Sequence, residues 1–140
     1  MRLLVALRDP LVAADIAETL AQGLPGAETS LARDCAQALA LCAAGAAPAV
    51  AILAAAPETF AGSALARRLE ELGTGIILIG DAAEERGEAA GYRVLHRPFS
   101  EAQLLQAVQA AGAVAKGRTH RPAPLLRPTA FRWRRRTSPG

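Results

Sequence analysis

Ile76-Ile77-Leu78-Ile79 is the stretch on which the fold turns. Four apolar residues, mostly β-branched, stand in an unbroken run between Gly73-Thr74-Gly75 and Gly80-Asp81. A strand with one wet face alternates apolar and polar residues, whereas an unbroken run marks a strand covered on both faces. Leu3-Leu4-Val5-Ala6-Leu7 and Ala49-Val50-Ala51-Ile52-Leu53 are runs of the same kind. Ala27 to Ala32 reads as a weaker strand, and Tyr92-Arg93-Val94-Leu95 as a fifth. Helical segments lie between them. Asp9-Pro10 reads as N-cap and first-turn proline, because Asp accepts from a free N–H and Pro lacks the one that would be orphaned. It opens a helix with Leu11, Ile16 and Leu20 on its inner side, ending near Gln22-Gly23. Asp34 caps a second helix through Ala38, Leu39 and Leu41, closed by Gly45. Glu58 to Leu72 reads as one helix ended by Gly73, and Asp81 to Ala90 as a short charged helix or turn. Ser100-Glu101-Ala102-Gln103 is a capping box, opening a last helix with Leu104, Leu105 and Val108 on one side.

Strands alternating with helices predict an α/β domain, a parallel sheet between two helical layers. Right-handed crossovers leave few topologies. Five strand–helix units in about 112 residues suit a flavodoxin-like three-layer sandwich with strand order 2-1-3-4-5, whose ligand crevice lies at the carboxyl ends of strands 1 and 3. The alternation alone leaves that order open.

The charge is split along the chain. All 13 acids fall in residues 1–115 with 8 of the 16 bases, while residues 116–140 hold the other 8 bases and no acid. The reading is therefore a mildly acidic domain, 1–115, with a basic, Pro/Arg-rich tail, 116–140. Pro122, Pro124, Pro128 and Pro139, with few large apolar residues, predict a tail that is disordered on its own. Its sharpest feature is Phe131-Arg132-Trp133-Arg134-Arg135-Arg136. Arginines contact phosphates, and Trp133 suits stacking on a base or a membrane interface. The tail thus reads as a basic end that docks on its own acidic domain or binds nothing specific, or as a binder of nucleic acid, of a protein or of a lipid surface. No apolar run reaches the roughly 18 residues of a spanning helix, and the opening run stops at Arg8-Asp9-Pro10, short of a signal peptide. The expectation is a cytoplasmic protein with no membrane span.

Few residues suggest chemistry. Cys35 and Cys42 stand two helical turns apart, about 10.5 Å, too far for a disulfide, and read as small buried apolar groups. His96 and His120 have no metal-like spacing, and no phosphate-cradling glycine motif or nucleophile–base set occurs. The reading is a non-enzyme with no catalytic residue, no metal ligand and no cofactor.

Several segments taken in order carry a resemblance: Leu4 to Val12, Asp34 to Leu39, Pro48 to Leu53 leading to Pro57 and Gly62, Ile76 to Ile79, and Arg97-Pro98-Phe99-Ser100 with Leu104-Leu105. Residues 2–112 resemble the receiver domain of bacterial two-component response regulators. The resemblance implies the flavodoxin-like fold and a switch driven by phosphorylation of an aspartate. It also implies where the chemistry would sit. Two acids after the first strand hold magnesium in receivers; Leu7 and Arg8 stand there. Asp9 matches a further acidic position, which its capping role already explains. The phosphoacceptor position falls on Ala54, the switch Ser/Thr on Gly80 and the lysine on Arg97. Pro57 lies one residue earlier than the family pattern, but a shift by one puts Leu53 or Ala55 at the acceptor, and no acid occurs between Asp34 and Glu58. The interval from Gly80 to Arg97 is short, which predicts a shortened fourth helix.

Phosphorylation of this kind needs a carboxylate nucleophile, and magnesium needs oxygen ligands. The sequence therefore predicts a degenerate pseudo-receiver, a phosphorylation-independent module for protein–protein interaction. The resemblance implies a histidine kinase, a phosphotransfer protein or another regulator as partner, with homodimerisation as an option. It places the partner face near Tyr92, Arg93, Leu104 and Val108. The alternative is a nucleic-acid or anionic-surface binder acting through the tail. Arg8 and Arg97 are expected to pair with Asp9 or Asp81, with anion binding the alternative; Glu84, Glu85, Arg86 and Glu88 read as a solvated face.

Overall fold

The computed structural model describes residues 1–45 and 47–120, the last seven as backbone only. Five strands form one parallel sheet: β1 (Arg2–Ala6), β2 (Glu28–Ala32), β3 (Val50–Ala54), β4 (Gly75–Ile79) and β5 (Arg93–Val94). Their order is β2-β1-β3-β4-β5, as the flavodoxin-like reading requires. Six helices cover it: α1 (Pro10–Gly23), α2 (Cys35–Ala43), α3 (Pro57–Ala61), α4 (Ala64–Leu72), α5 (Asp81–Arg86) and α6 (Glu101–His120).

The unbroken apolar runs are explained by two cores, one on each face. Successive strand side chains point to opposite faces. Leu3, Val5, Val50, Ile52, Ile77 and Ile79 meet Ile16 and Leu20 of α1 and Leu104, Val108 and Ala111 of α6. Leu4, Ala6, Ala51, Leu53 and Leu78 meet Ala38 and Cys42 of α2, Phe60 of α3, Leu65 and Leu69 of α4, and Ala83 of α5. Leu11, expected on the inner side of α1, is 79% exposed; Ala13, Ile16 and Leu20 form the buried stripe instead. Cys42 is buried, whereas Cys35 is only partly so, and both thiols are free.

Side-chain caps set the helix starts. Asp9 Oδ1 accepts from Leu11 N at 2.9 Å, and Asp34 Oδ1 accepts from Gln37 N at 2.8 Å. At α6 the capping box closes both ways: Ser100 Oγ accepts from Gln103 N at 3.1 Å, and Gln103 Oε1 accepts from Ser100 N at 2.8 Å.

Four boundaries differ from the sequence reading. Glu58 to Leu72 is not one helix but α3 and α4, broken at Gly62-Ser63. Ser63 Oγ donates to Phe60 O at 2.7 Å and accepts from Ala66 N at 3.1 Å, so its hydroxyl ends one helix and caps the next. The charged helix stops at Arg86 rather than Ala90, and the carbonyl of Gly87 accepts from Tyr92 N at 3.0 Å, starting the turn toward β5. β5 has two residues rather than four, although Leu95 N still donates to Leu78 O at 3.0 Å. Helix α6 runs past the expected domain boundary at residue 115 to His120. The rest of the basic tail, with Arg132, Trp133, Arg134, Arg135 and Arg136, lies outside the described residues.

Candidate functional site

The carboxyl ends of β1, β3 and β4 bring Leu7, Arg8, Asp9, Ala54 and Gly80 to one edge of the sheet. Ala6 is level with Leu53, and Ala54 with Ile79. The sequence placed a pocket here, and the structure does gather these positions at one end. Their side chains do not form an acidic centre. Leu7 turns into the core beneath α1 and α6, while its N–H donates to Ala32 O at 3.0 Å. Arg8 is exposed and makes no ion pair with any described residue, so neither Asp9 nor Asp81 neutralises it. The carboxylate of Asp9 is held by the N-terminus of α1. Ala54 is exposed at the tip of β3 and carries no atom that can attack phosphorus.

Gly80 has φ 116° and ψ 173°, a conformation open in practice only to glycine. A Ser or Thr here would be strained even though the space beside it is open.

Arg97 follows β5 and precedes a cis peptide bond to Pro98. Its Nε donates to Glu84 Oε2 at 2.8 Å, its backbone N–H donates to the same oxygen at 3.0 Å, and its Nη2 bonds Asp81. The expected ion pair with Asp81 thus forms, joined by Glu84, which the sequence reading left on a solvated face. The signal was present: Asp81 and Glu84 are three apart and share a helix side. Two further pairs tie α5 and the turn after it to their surroundings. Arg86 donates to both carboxylate oxygens of Glu58, at 2.7 and 2.9 Å, and His96 Nε2 lies 3.1 Å from Glu88 Oε1. The cation at position 97 is thereby occupied, not aimed at a ligand.

The side-chain hydrogen bond from Arg97, and then that from its backbone N–H, hold the Glu84 carboxyl below its ordinary value. A carboxyl depressed in the folded state contributes stability above its unfolded value and loses it as pH falls through the folded one. Arg97→Ala should remove the larger, side-chain part of that contribution, since alanine keeps the backbone N–H. Its thermal midpoint should differ from that of the parent near neutral pH, and the difference should shrink below the ordinary glutamate value of about 4.3. Paired melting curves across that range check this; a difference independent of pH would refute it.

The residues present do not suit magnesium. Leu7 and Arg8 offer no oxygen, and the nearby carboxylates serve a helix cap or Arg97. Among the described residues no three His, Cys, Asp or Glu side chains converge as a metal site.

The expected partner face needs correction. Leu104 and Val108 are 2% and 0% exposed, part of the core against the sheet. The sequence reading took the apolar side of α6 for its outer side. Tyr92 is half-buried, edge-on to Phe60, and only Arg93 of the four is open to solvent. What β5 and α6 do present is a groove of about 370 Å³ bordered by Arg93, His96, Gln103, Gln106, Ala107 and Ala110.

This geometry has counterparts among solved structures. The response regulator receiver protein of Sinorhizobium medicae is 24% identical, with a TM-score of 0.65 over 82% of this chain and 96% of that one. The chemotaxis response regulator CheY4 of Vibrio cholerae is 22% identical, with a TM-score of 0.61 over 79% and 97%. A two-component transcriptional regulator from Clostridium phytofermentans is 15% identical, with a TM-score of 0.68 over 86% and 99%. The chain has the receiver fold. No protein-family model matches it, and no curated protein matches it in sequence. Leu7, Arg8, Ala54 and Gly80 stand where the resemblance in sequence leads one to expect phosphate chemistry.

Proposed function

We propose that this chain is a phosphorylation-independent signalling module, a receiver fold that acts by protein–protein contact and catalyses no reaction. One observation carries the reading: at the tip of β3 stands Ala54, and the neighbouring carboxylates are committed to a helix cap and to Arg97. Such an edge has neither a nucleophile for a phosphoryl group nor ligands for the metal that would assist it. What remains is a stable surface. The groove between β5 and α6, with Arg93, Gln103 and Gln106 around small alanines, is a polar-rimmed face on which a histidine kinase, a phosphotransfer protein or another regulator would dock.

Incubation with acetyl phosphate and magnesium, followed by intact-mass measurement, tests the chemical half. The expected spectrum shows no phosphoryl adduct, beside a phosphorylatable receiver as positive control. A stoichiometric adduct removed by hydroxylamine would overturn the reading. No helix among the described residues is long and apolar enough to cross a membrane.

A further inference from the structure

A second groove lies between α1 and the start of α6, with a volume of about 430 Å³. Val12, Ile16 and Phe99 give it an apolar floor, and Asp15, Glu18 and Glu101 stand around it. No basic residue lines it, and none of these three carboxylates makes an ion pair with a described residue. Elsewhere in the domain several acids are matched: Asp81 and Glu84 by Arg97, Glu58 by Arg86. Here three negative charges border exposed apolar surface, with Val12 at 42% exposure.

The chain itself supplies a complement. Residues 116–140 hold 8 bases and no acid, and Phe131 and Trp133 alternate there with Arg132 and Arg134. In an extended segment the two aromatics share one side, and the long arginine side chains between and after them can reach round to charges at the groove's rim. The reach also fits. Helix α6 starts beside the groove and spans 20 residues, about 30 Å at 1.5 Å per residue. Phe131 comes 11 residues after His120, and an extended or polyproline stretch of that length covers about 34 Å at 3.1 Å per residue. Pro122, Pro124 and Pro128 favour that extended form.

We propose that Phe131–Arg136 folds back along α6 and docks in the α1–α6 groove, its aromatics on Val12 and Phe99 and its arginines on Asp15, Glu18 and Glu101. The groove beside β4 and β5 suits this occupant less, since it offers Glu70 against Arg93. Docking makes the basic segment an internal ligand of its own domain, displaceable by a polyanion. The inference does not depend on the signalling reading.

Trp133 is the only tryptophan of the chain, so its fluorescence reports this segment alone. In the full chain its emission should be blue-shifted and shielded from acrylamide. The triple substitution Asp15→Lys, Glu18→Lys, Glu101→Lys should shift it to the red and raise the quenching constant. All three are exposed, so the fold should persist, which far-UV circular dichroism checks. Salt near 1 M, where the Debye length is about 3 Å, should act in the same direction. Emission of a fully exposed tryptophan in the parent chain would overturn the proposal. So would a blue shift that survives the triple substitution, or one that grows with protein concentration and so reports a second copy. A shift seen only after adding a single-stranded oligonucleotide would also overturn it, assigning the segment to nucleic acid instead.

Discussion

Phe60→Ala is expected to lower the stability of the domain by about 3–5 kcal/mol, the range for truncating a buried Phe. Phe60 is 2% exposed and sits in a helix of only five residues, Pro57–Ala61. That helix has little internal cooperativity, so its place depends on what Phe60 buries. Its ring meets Tyr92 edge-on, with centroids 5.6 Å apart and an interplanar angle of 69°. The contact joins α3 to the start of β5, and Phe60 belongs to the core built with Leu65, Leu69 and Leu78. Removing the ring leaves a cavity and frees the Tyr92 side. Thermal denaturation should show a midpoint lower by on the order of 15 °C. Phe60→Leu should recover more than half of the loss. A midpoint within a few degrees of the parent would show that α3 does not depend on this anchor.

Gly75→Ala is expected to cost about 3 kcal/mol, at the upper end of the overpacking range. Gly75 opens β4, and its N–H donates to Ala49 O at 2.8 Å. A β-carbon there would collide with the backbone carbonyl of Ala111 on α6. Backbone does not rotate away as a flexible side-chain end does, so α6 or β4 must shift. The neighbouring Thr74 is 1% exposed and donates its hydroxyl to Pro48 O at 2.7 Å, which pins this end of the sheet and leaves little room for movement. Gly75 does not have a positive φ, so the penalty comes from contact rather than backbone strain. Gly62→Ala is the control, with φ −94° and open space beside it; its stability should change by less than about 1 kcal/mol. Urea denaturation of both variants separates the cases. Equal midpoints would mean that α6 is not seated on Gly75.

The sequence by itself determined the layers and the helix starts. Unbroken apolar runs such as Ile76 to Ile79 demand cover on both faces, and local side-chain bonds at Asp9, Asp34 and Ser100 start helices wherever the chain goes next. Ala54 is equally decisive, since no tertiary arrangement gives a methyl group a nucleophilic oxygen. Residue types also led to Arg97 as a paired cation. What the sequence left undecided depended on direction and on distant neighbours. The outer side of α6 was misread because Leu104 and Val108 suit a docking surface as well as a core, and only the packed sheet shows which they serve. The break at Gly62-Ser63 was hidden because a helix tolerates both residues until Phe60 fixes one turn in place. Glu84 became a partner of Arg97 because β5 is short and the chain folds back over α5. The strain that a side chain would meet at Gly80 shows only in its φ. Periodicity and residue type act locally and survive in one dimension, whereas the facing of a helix and the partner of a charge are set only when strands distant in sequence are brought side by side.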